Sequence, residues 1–315
     1  PKAGLTFYAI SWGESSTSCV VPAHALVDAA KAAGWSAKLA DGKLNPAGFA
    51  AAIRQAIAGG ADVIVPVGFG CSAAQAAFKE AHDAGILIIG GGGPDDCNPK
   101  LWGSERLWLK GMDGIPMWNA FGSLSADWAF GKTNGDVKAI TLTGTTNIWG
   151  QWMVDGFNNE LKKLGSGEVV ANVDIADPEA ADGSFVQKVT TALLAHPDAN
   201  VLYVGQGGWL TSLYQAIVQS GRTDLAIVTS LADDATMETI RSGGPKGIQL
   251  GAVAQAFQWG AWGSVDTAIR VLAGKDPVDI GESIQAVDAD HNLPASGPYA
   301  GSIDWKAKFL ASWGK

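Results

Sequence analysis

The sequence contains few cysteines and histidines and has no long hydrophobic run. Three cysteines and four histidines occur in 315 residues, and no segment approaches the ~18 uninterrupted apolar residues of a membrane-spanning helix. The spacing of Cys19, Cys71 and Cys97 matches no zinc or redox motif. These absences argue against a membrane-spanning helix, a zinc site and a dithiol active site.

Motifs of the common catalytic classes are missing as well. The chain has no G-x-x-x-x-G-K-[ST] phosphate loop and no G-x-S-x-G nucleophile motif. His24, His82 and His196 fall in or at the ends of predicted helices, away from the strand ends where sites form. We therefore predict a protein with no metal, no cofactor and no catalytic residues, which is not an enzyme.

Basic residues are outnumbered by acidic ones. The chain has 22 Lys and Arg against 31 Asp and Glu, a formal net charge of −9. Nucleic acids and anionic membranes require a concentrated positive surface, so neither is a predicted partner. Strand-like sequence begins at Leu5 with no signal segment before it, as expected of a mature exported protein or of a cytosolic one.

The pattern along the chain predicts an α/β fold of two doubly wound, Rossmann-like units. Short apolar runs alternate with Ala-rich stretches of helical spacing, which implies parallel strands joined by helical crossovers. The predicted strands are 5–10, 36–40, 62–67, 86–90, 137–142, 169–175, 200–204, 225–229 and 249–254. The predicted helices are 22–33, 46–58, 72–84, 150–164, 184–195, 210–220, 233–242 and 261–273. The rhythm is interrupted between about 91 and 117, and a tail rich in Pro, Gly and Asp begins near 276.

Aromatic and polar residues are concentrated directly after the predicted strands, where open parallel sheets bind their ligands. Indole faces pack against the C–H groups of sugars, and amides, hydroxyls and carboxylates bind their hydroxyl groups, so this mixture suits a polyhydroxylated ligand. The alternative is that several of the tryptophans pack in the core or hinge, and that Asp233 or Asp234 caps the helix that follows. The candidate ligand-binding residues are Trp12, Glu14, Thr17, Ser18, Phe69, Asn147, Trp149, Trp152, Gln206, Trp209, Asp233 and Gln255.

A run of four glycines, 90–93, also follows a predicted strand. It leads into Pro94 and Asp95 rather than into the first turn of a phosphate-binding helix. We therefore expect a flexible loop here and no dinucleotide site.

The three cysteines each follow a predicted strand in the first third of the chain, which places them at one edge of one sheet. A disulfide between Cys71 and Cys97 would suit an oxidising compartment. Three unpaired cysteines are the alternative that the sequence leaves open.

Several segments occur in a characteristic order along nearly the whole chain: Ala61-Asp62-Val63-Ile64-Val65-Pro66-Val67, Ile86-Leu87-Ile88-Ile89, Ile140-Thr141-Leu142-Thr143-Gly144, Asp155-Gly156-Phe157, Ala195-His196-Pro197-Asp198-Ala199-Asn200 and Ala252-Val253-Ala254-Gln255. In this order the chain resembles the type I periplasmic solute-binding proteins of the ribose/galactose class, which supply ABC importers. No single segment is decisive, but their spacing together is specific.

The resemblance implies two lobes joined by three hinge crossings, with a small sugar-like solute held between them. The first lobe would comprise 1–112 and 256–283, and the second 113–255 and 284–315. Closure of the lobes would create the form that a membrane permease recognises. The resemblance also implies a monomer in the periplasm or at the outer face of a membrane. Association with the membrane would be only through a lipid anchor, which is removed from this chain, or through the permease.

Family contacts carry over at only a few positions. The amide after the family's eighth strand matches Gln206, and the hinge glutamine matches Gln255. The family's arginine falls at Met153, one aspartate at Leu231, and another aspartate in the glycine run. Loss of these charge-assisted contacts favours a polyol, a deoxy or methylated sugar, a glycoside or an aromatic compound.

Two other functions use the same type of fold. The effector-binding core of a LacI-type transcription regulator would follow a basic DNA-binding headpiece, whereas only 1–4 precede the first strand here. An enzyme on a doubly wound fold would need a reactive constellation that the sequence does not provide.

Overall fold

The computed structural model describes residues 1–14, 17–146, 148–243, 247–282 and 284–315, and only the backbone of 17–19. Contacts divide the chain into two compact units. Unit 1 consists of Pro1–Lys110, Ala256–Ser283 and Ala300–Lys315, and unit 2 of Gly111–Gln255 and Ile284–Tyr299. None of the helices in the described ranges combines the length and apolar character needed to cross a membrane.

Unit 1 is built on a four-stranded parallel sheet in the order β2-β1-β3-β4. Ala9 of the first strand pairs with Leu39 on one side and with Val65 on the other. Both faces of β1 and β3 are buried, which explains their nearly continuous apolar sequence. The elements are β1 (Thr6–Ser11), α1 (Thr17–Ala33), β2 (Ser36–Asp41), α2 (Pro46–Ala58), β3 (Val63–Pro66), a 3₁₀ turn (Cys71–Ala74), α3 (Gln75–Asp83) and β4 (Leu87–Ile88). Helices α10 (Phe257–Leu272) and α11 (Trp305–Ser312) are added from the C-terminal part.

Unit 2 contains a six-stranded sheet in the order β10-β9-β8-β7-β5-β6, in which only β10 is antiparallel to its neighbour. Its first four strands, β5 to β8, repeat the strand order of unit 1. The elements are α4 (Ile115–Lys132), β5 (Lys138–Gly144), α5 (Ile148–Leu164), β6 (Glu168–Ile175), α6 (Asp177–Asp182), α7 (Phe185–Ala195), β7 (Val201–Val204), α8 (Gly208–Gln219), β8 (Ala226–Ser230), α9 (Asp234–Ser242), β9 (Gln249–Gln255) and β10 (Ile284–Asp288). The prediction of two doubly wound α/β lobes is confirmed.

Helix α4 begins where the interrupted stretch of the sequence ends and fills the region before the strand predicted at 137–142, and it was not predicted. Its apolar residues surround the helix instead of forming one stripe, so no helical face can be recognised in the sequence. Helices α4 and α5 pack closely because a Cβ at Gly156 would lie only 2.0 Å from the backbone oxygen of Asn119. A side chain at position 156 would force the two helices apart.

The C-terminal segment Ala300–Lys315 belongs to unit 1, whereas the resemblance implied a second lobe that includes all of 284–315. Helix α11 (Trp305–Ser312) packs on α10 (Phe257–Leu272) through aromatic rings. The indole of Trp313 stacks on that of Trp262 with centroids 5.3 Å apart, and Trp313 Nε1 donates to Asp266 Oδ1 at 2.8 Å. The chain therefore passes between the units at a fourth place, 299–300, in addition to the three expected crossings.

The glycine run was expected to form a flexible loop, but its second residue, Gly91, continues the sheet, and bends follow at Gly92 and Gly93. The Gly91 amide donates to the Pro66 carbonyl at 3.0 Å, and Val67 and Gly91 form a parallel bridge. Cβ atoms at Gly91 and Gly93 would lie 2.4 and 2.2 Å from the backbone oxygens of Pro66 and Phe69. Glycine is required here because the backbone packs directly on the neighbouring strand.

A disulfide joins Cys71 and Cys97, with Cα atoms 5.5 Å apart. It ties the segment after the glycine run to the 3₁₀ turn after β3. Asp95 holds the same segment, because its carboxylate accepts from the backbone amides of Leu101 and Trp102, both at 2.9 Å.

Candidate functional site

Each sheet has one position where the strand order reverses. In unit 1 this position lies between β1 and β3, and in unit 2 between β5 and β7. The carboxyl ends of the strands beside such a position form the usual ligand site of an open parallel sheet. We therefore define the unit 1 edge as the segments after β1, β3 and β4, and the unit 2 edge as the segments after β5, β7, β8 and β9.

Trp12 lies at the unit 1 edge directly after β1. Its indole packs over the bare Cα of Gly68, where an added Cβ would lie 3.2 Å from the ring, and meets Phe49 edge-on with centroids 6.3 Å apart. The ring is only partly buried. Gly68 has φ of +77°, so glycine is favoured there for its backbone conformation as well as for the space it leaves.

Glu14 lies two residues after Trp12 and is paired with His24, which was predicted to lie away from the strand ends. His24 Nε2 lies 2.8 Å from Glu14 Oε2, and the Glu14 amide donates to Asp41 Oδ1 at 3.1 Å. The other carboxylate oxygen, Oε1, is buried without a hydrogen-bond partner in the described part of the chain. Helix α1 brings His24 to the carboxyl end of β1. The prediction that His24 lies away from the site because it belongs to a helix is therefore wrong.

Phe69 is a core residue, which contradicts the prediction that it stacks on a ligand. Its side chain is 1% exposed, and its ring stacks on Phe49 with centroids 4.2 Å apart. The ring belongs to the same core cluster as Cys71 and Ala74 of the 3₁₀ turn and lies 6.0 Å from the ring of Phe78 in α3.

Arg106 and Glu282 form a buried ion pair near the unit 1 edge that the sequence did not reveal. Arg106 Nη2 lies 3.5 Å from Glu282 Oε2, and the two side chains are 5% and 0% exposed. The Arg106 guanidinium lies 4.2 Å from the ring centre of Trp108. Burial lowers the pKa of Arg106, and the nearby Glu282 carboxylate opposes that change.

Gln206 and Trp209 lie together at the unit 2 edge. A Cβ added to Gly144, at the end of β5, would lie 3.3 Å from Gln206 Nε2 and 3.4 Å from Trp209 Cη2. Trp209 belongs to the first turn of α8 instead of the predicted loop. Its ring is 7% exposed and meets Phe185 at 5.8 Å with the ring planes 46° apart, so it is buried within its own unit but not stacked on that partner. The side chain of Gln206 is partly exposed.

Trp149 and Trp152 both lie in α5. The helix was predicted to begin at 150, so Trp149 lies in its first turn instead of before it, and Trp152 lies in the helix as predicted. Trp149 is 7% exposed and stacks on Trp118 of α4, with centroids 5.3 Å apart and ring planes 20° apart. Trp152 is partly buried. The stacking partner of Trp149 is therefore a residue of its own unit, which favours the packing alternative for this tryptophan.

Carboxylates at the unit 2 edge have structural partners. Asp233 caps α9, because its Oδ1 accepts from the Thr236 amide at 2.9 Å and from the Thr236 hydroxyl at 2.8 Å. Asp177, the first residue of α6, lies two residues after the end of β6 and so outside the unit 2 edge, and it was not predicted as a site residue. Burial raises the pKa of Asp177, and a hydrogen bond with the Thr146 hydroxyl opposes that rise. Gln255 ends β9 and is buried.

Three candidate residues cannot be assigned to either edge. Asn147 and the side chains of Thr17 and Ser18 lie outside the described residues.

Met153 stands where the family has an arginine, and it is buried. A Cβ added to Gly205, directly after β7, would lie 3.9 Å from the Cε atom of Met153.

One cluster of potential metal ligands occurs in the described ranges, formed by Cys71, Asp95 and Cys97 within 4.8 Å of one another. Both sulfurs belong to the disulfide, so neither is available as the thiolate that a metal requires. Asp95 accepts backbone hydrogen bonds instead. The cluster is structural.

The family model of the periplasmic binding protein domain matches residues 15–276. An ABC transporter solute-binding protein from Mycobacterium smegmatis with bound glycerol is 18% identical, with a TM-score of 0.76 over 95% of this chain and 100% of that one. A second, from Burkholderia graminis in complex with D-arabinose, is 18% identical, with a TM-score of 0.76 over 94% of this chain and 99% of that one. A 5-methylthioribose transporter solute-binding protein from Thermotoga lettingae is 14% identical, with a TM-score of 0.75 over 98% of this chain and 97% of that one. No curated relative matches the chain in sequence.

Two α/β units of matching strand order, with aromatic and polar side chains at their carboxyl edges, define the class of the two-lobed solute-binding folds. The chain belongs to the periplasmic binding protein domain family, whose model spans most of its length. The resemblance to the periplasmic binding proteins is confirmed at the level of the family.

Proposed function

We propose that this protein is an extracytoplasmic receptor that binds a small sugar or polyol and delivers it to an ABC importer. The family supports a binding role, and the similar structures contain glycerol, D-arabinose and 5-methylthioribose as bound compounds. We further propose a monomer in the periplasm or at the outer face of a membrane, acting without cofactor or turnover.

The observation that carries this proposal is the pair of edges, one in each unit, that combine an indole with a polar side chain. Trp12 and Glu14 lie together after β1, and Gln206 and Trp209 lie together beside the end of β5. Indole faces pack on the C–H groups of a sugar, while amide and carboxylate groups bind its hydroxyls. In this proposal a solute contacts both edges, and these contacts stabilise a closed form that the permease recognises.

A thermal-shift screen of the protein against sugars, polyols, glycosides and small aromatic compounds tests the function. A ligand present at a hundred times its dissociation constant stabilises the fold by about 2.7 kcal/mol, so one chemical class is expected to raise the melting temperature. Mass spectrometry of the recovered compound is expected to show it unchanged. A consumed compound would point to an enzyme, and no response from any sugar or polyol would contradict the proposal.

A further inference from the structure

The chain segment that carries Arg106 extends the unit 1 sheet beyond β4. The Gly103 amide donates to the Ile88 carbonyl, the Gly90 amide donates to the Ser104 carbonyl, both at 2.9 Å, and Ile89 and Ser104 form a parallel bridge. Arg106 comes two residues after this bridge. It therefore lies toward the carboxyl edge of the same sheet that places Trp12 and Glu14.

The guanidinium is held firmly but lacks the hydrogen bonds that a buried arginine requires. It lies over Trp108 and beside Glu282, and a Cβ at Gly260 in the first turn of α10 would lie 2.6 Å from Nη1. Nε is buried and has no hydrogen-bond partner in the part of the chain that the structure describes. An unsatisfied buried donor is costly, and an arginine that is 5% exposed needs acceptors from elsewhere.

The glycine run leaves one open approach to this guanidinium. Cβ atoms at Gly90, Gly91 and Gly93 would each meet another atom at 3.1 Å or less. At Gly92, which has φ of +117°, the nearest atom to such a Cβ is Arg106 Nη2, at 3.8 Å. A side chain at position 92 would occupy the space in front of the guanidinium, and glycine keeps that space open.

We propose that Arg106 is a ligand-binding residue that donates hydrogen bonds past Gly92 to two neighbouring oxygens of a neutral polyhydroxylated solute. This inference rests on the proposed function and narrows its ligand class. The forked guanidinium suits a pair of adjacent oxygens. The Arg106–Glu282 pair has no net charge. A neutral ligand therefore leaves the buried site without an uncompensated charge, whereas a ligand carboxylate would bring an uncompensated negative charge beside Glu282.

Calorimetric titration of three variants with D-arabinose, D-ribose, glycerol and benzyl alcohol tests the inference. Arg106→Lys keeps the positive charge but lacks the paired N–H donors of the guanidinium. The double variant Arg106→Met/Glu282→Met replaces the ion pair with apolar side chains of similar length. Arg54→Lys is the matched control, because the Arg54–Glu80 pair is about half exposed on the surface. We expect the parent to bind at least one of the three polyhydroxyl compounds, Arg106→Lys to bind it at least about tenfold more weakly, and Arg54→Lys to bind it equally well.

The Nε–H resonance of Arg106 provides a readout that does not depend on the folding of a variant. In the parent protein it is expected to shift on addition of the bound sugar or polyol and to stay in place on addition of benzyl alcohol. Parent-like affinity in both Arg106 variants, or an unmoved resonance at saturation, overturns the assignment of Arg106 and leaves the receptor function standing. Binding of benzyl alcohol alone overturns the polyhydroxyl class, and a parent that binds none of the four compounds overturns the proposed function and the inference with it.

Discussion

At the scale of single residues, the tryptophans near the two edges have different surroundings. Trp149 is 7% exposed and stacked on Trp118 inside unit 2. Trp12 is only partly buried and packs on the bare backbone of Gly68. A ring that is already stacked within its own unit contributes mainly to folding, whereas a partly exposed ring at a strand end can contribute to binding.

Replacing Trp12 and Trp149 by alanine should separate these two roles. Trp12→Ala is expected to weaken sugar or polyol binding at least about tenfold with a small loss of stability. Trp149→Ala is expected to lower the free energy of unfolding by about 3 kcal/mol or more, because it leaves a cavity beside Trp118. Titration calorimetry and urea unfolding of both variants measure the two effects.

Trp12→Phe is the matched control, since it keeps an aromatic face and should retain more of the affinity than Trp12→Ala. Equal affinity of Trp12→Ala and the parent would remove Trp12 from the site. A Trp149→Ala variant of unchanged stability would show that its stacking on Trp118 contributes little.

At the scale of elements, one carboxylate joins two elements that are far apart in sequence. Asp288 of β10 accepts from Trp128 Nε1 at 2.9 Å and lies 3.0 Å from Lys132 Nζ, both on α4. His291 Nδ1 lies 2.9 Å from the other carboxylate oxygen. Burial alone would raise the pKa of Asp288, but the hydrogen bonds from Lys132, Trp128 and His291 hold it well below its usual range.

Asp288→Asn is expected to destabilise the protein by about 2 kcal/mol at pH 7, because it weakens hydrogen bonds to a charged acceptor. A depressed carboxyl pKa stabilises the fold above the unfolded-chain value of about 4, and that contribution is lost as the pH falls below it. The difference in the free energy of unfolding between the parent and Asp288→Asn should therefore become smaller below about pH 4. Urea unfolding at pH 7, 5, 4 and 3 measures it.

Asp276→Asn is the control for removing one negative charge, since Asp276 is exposed. It should leave the stability almost unchanged at each pH. A constant difference between Asp288→Asn and the parent from pH 7 to pH 3 would contradict the assignment of this pH dependence to Asp288.

At the scale of the whole molecule, the chain is divided so that each unit is assembled from separated segments. Unit 1 takes three segments and unit 2 takes two, and the chain passes between them at 110–111, 255–256, 283–284 and 299–300. In the proposed function, these passages between the units would serve as the hinge for lobe closure.

Hinge closure is part of the proposed function and can be measured directly. A saturating sugar or polyol is expected to lower the radius of gyration in small-angle X-ray scattering, because ligand contacts favour the closed form. A non-binding sugar of similar size provides the control. An unchanged radius of gyration at saturation would contradict closure and leave ligand binding intact.

Much of the fold was predictable because its signals are local. Apolar runs such as 62–67, followed by Ala-rich helical stretches, define parallel strands and crossovers without any knowledge of partners. Helix α4 was missed because its apolar residues surround it, and α11 because a short helix in a Gly- and Pro-rich tail has no strong pattern of its own. The place of α11 in unit 1 depends on stacking between Trp262 and Trp313, which are remote in sequence.

The sequence by itself determined the family, the two α/β units and the segments that carry Trp12, Glu14, Gln206 and Trp209. Only the tertiary structure decided which side chains have partners. It placed Phe69 in the core, paired Glu14 with His24, and brought Arg106 against Glu282 across the length of the chain. The physical reason is that helix and strand patterns arise between near neighbours, whereas burial and charge pairing arise between residues that only the folded backbone brings together.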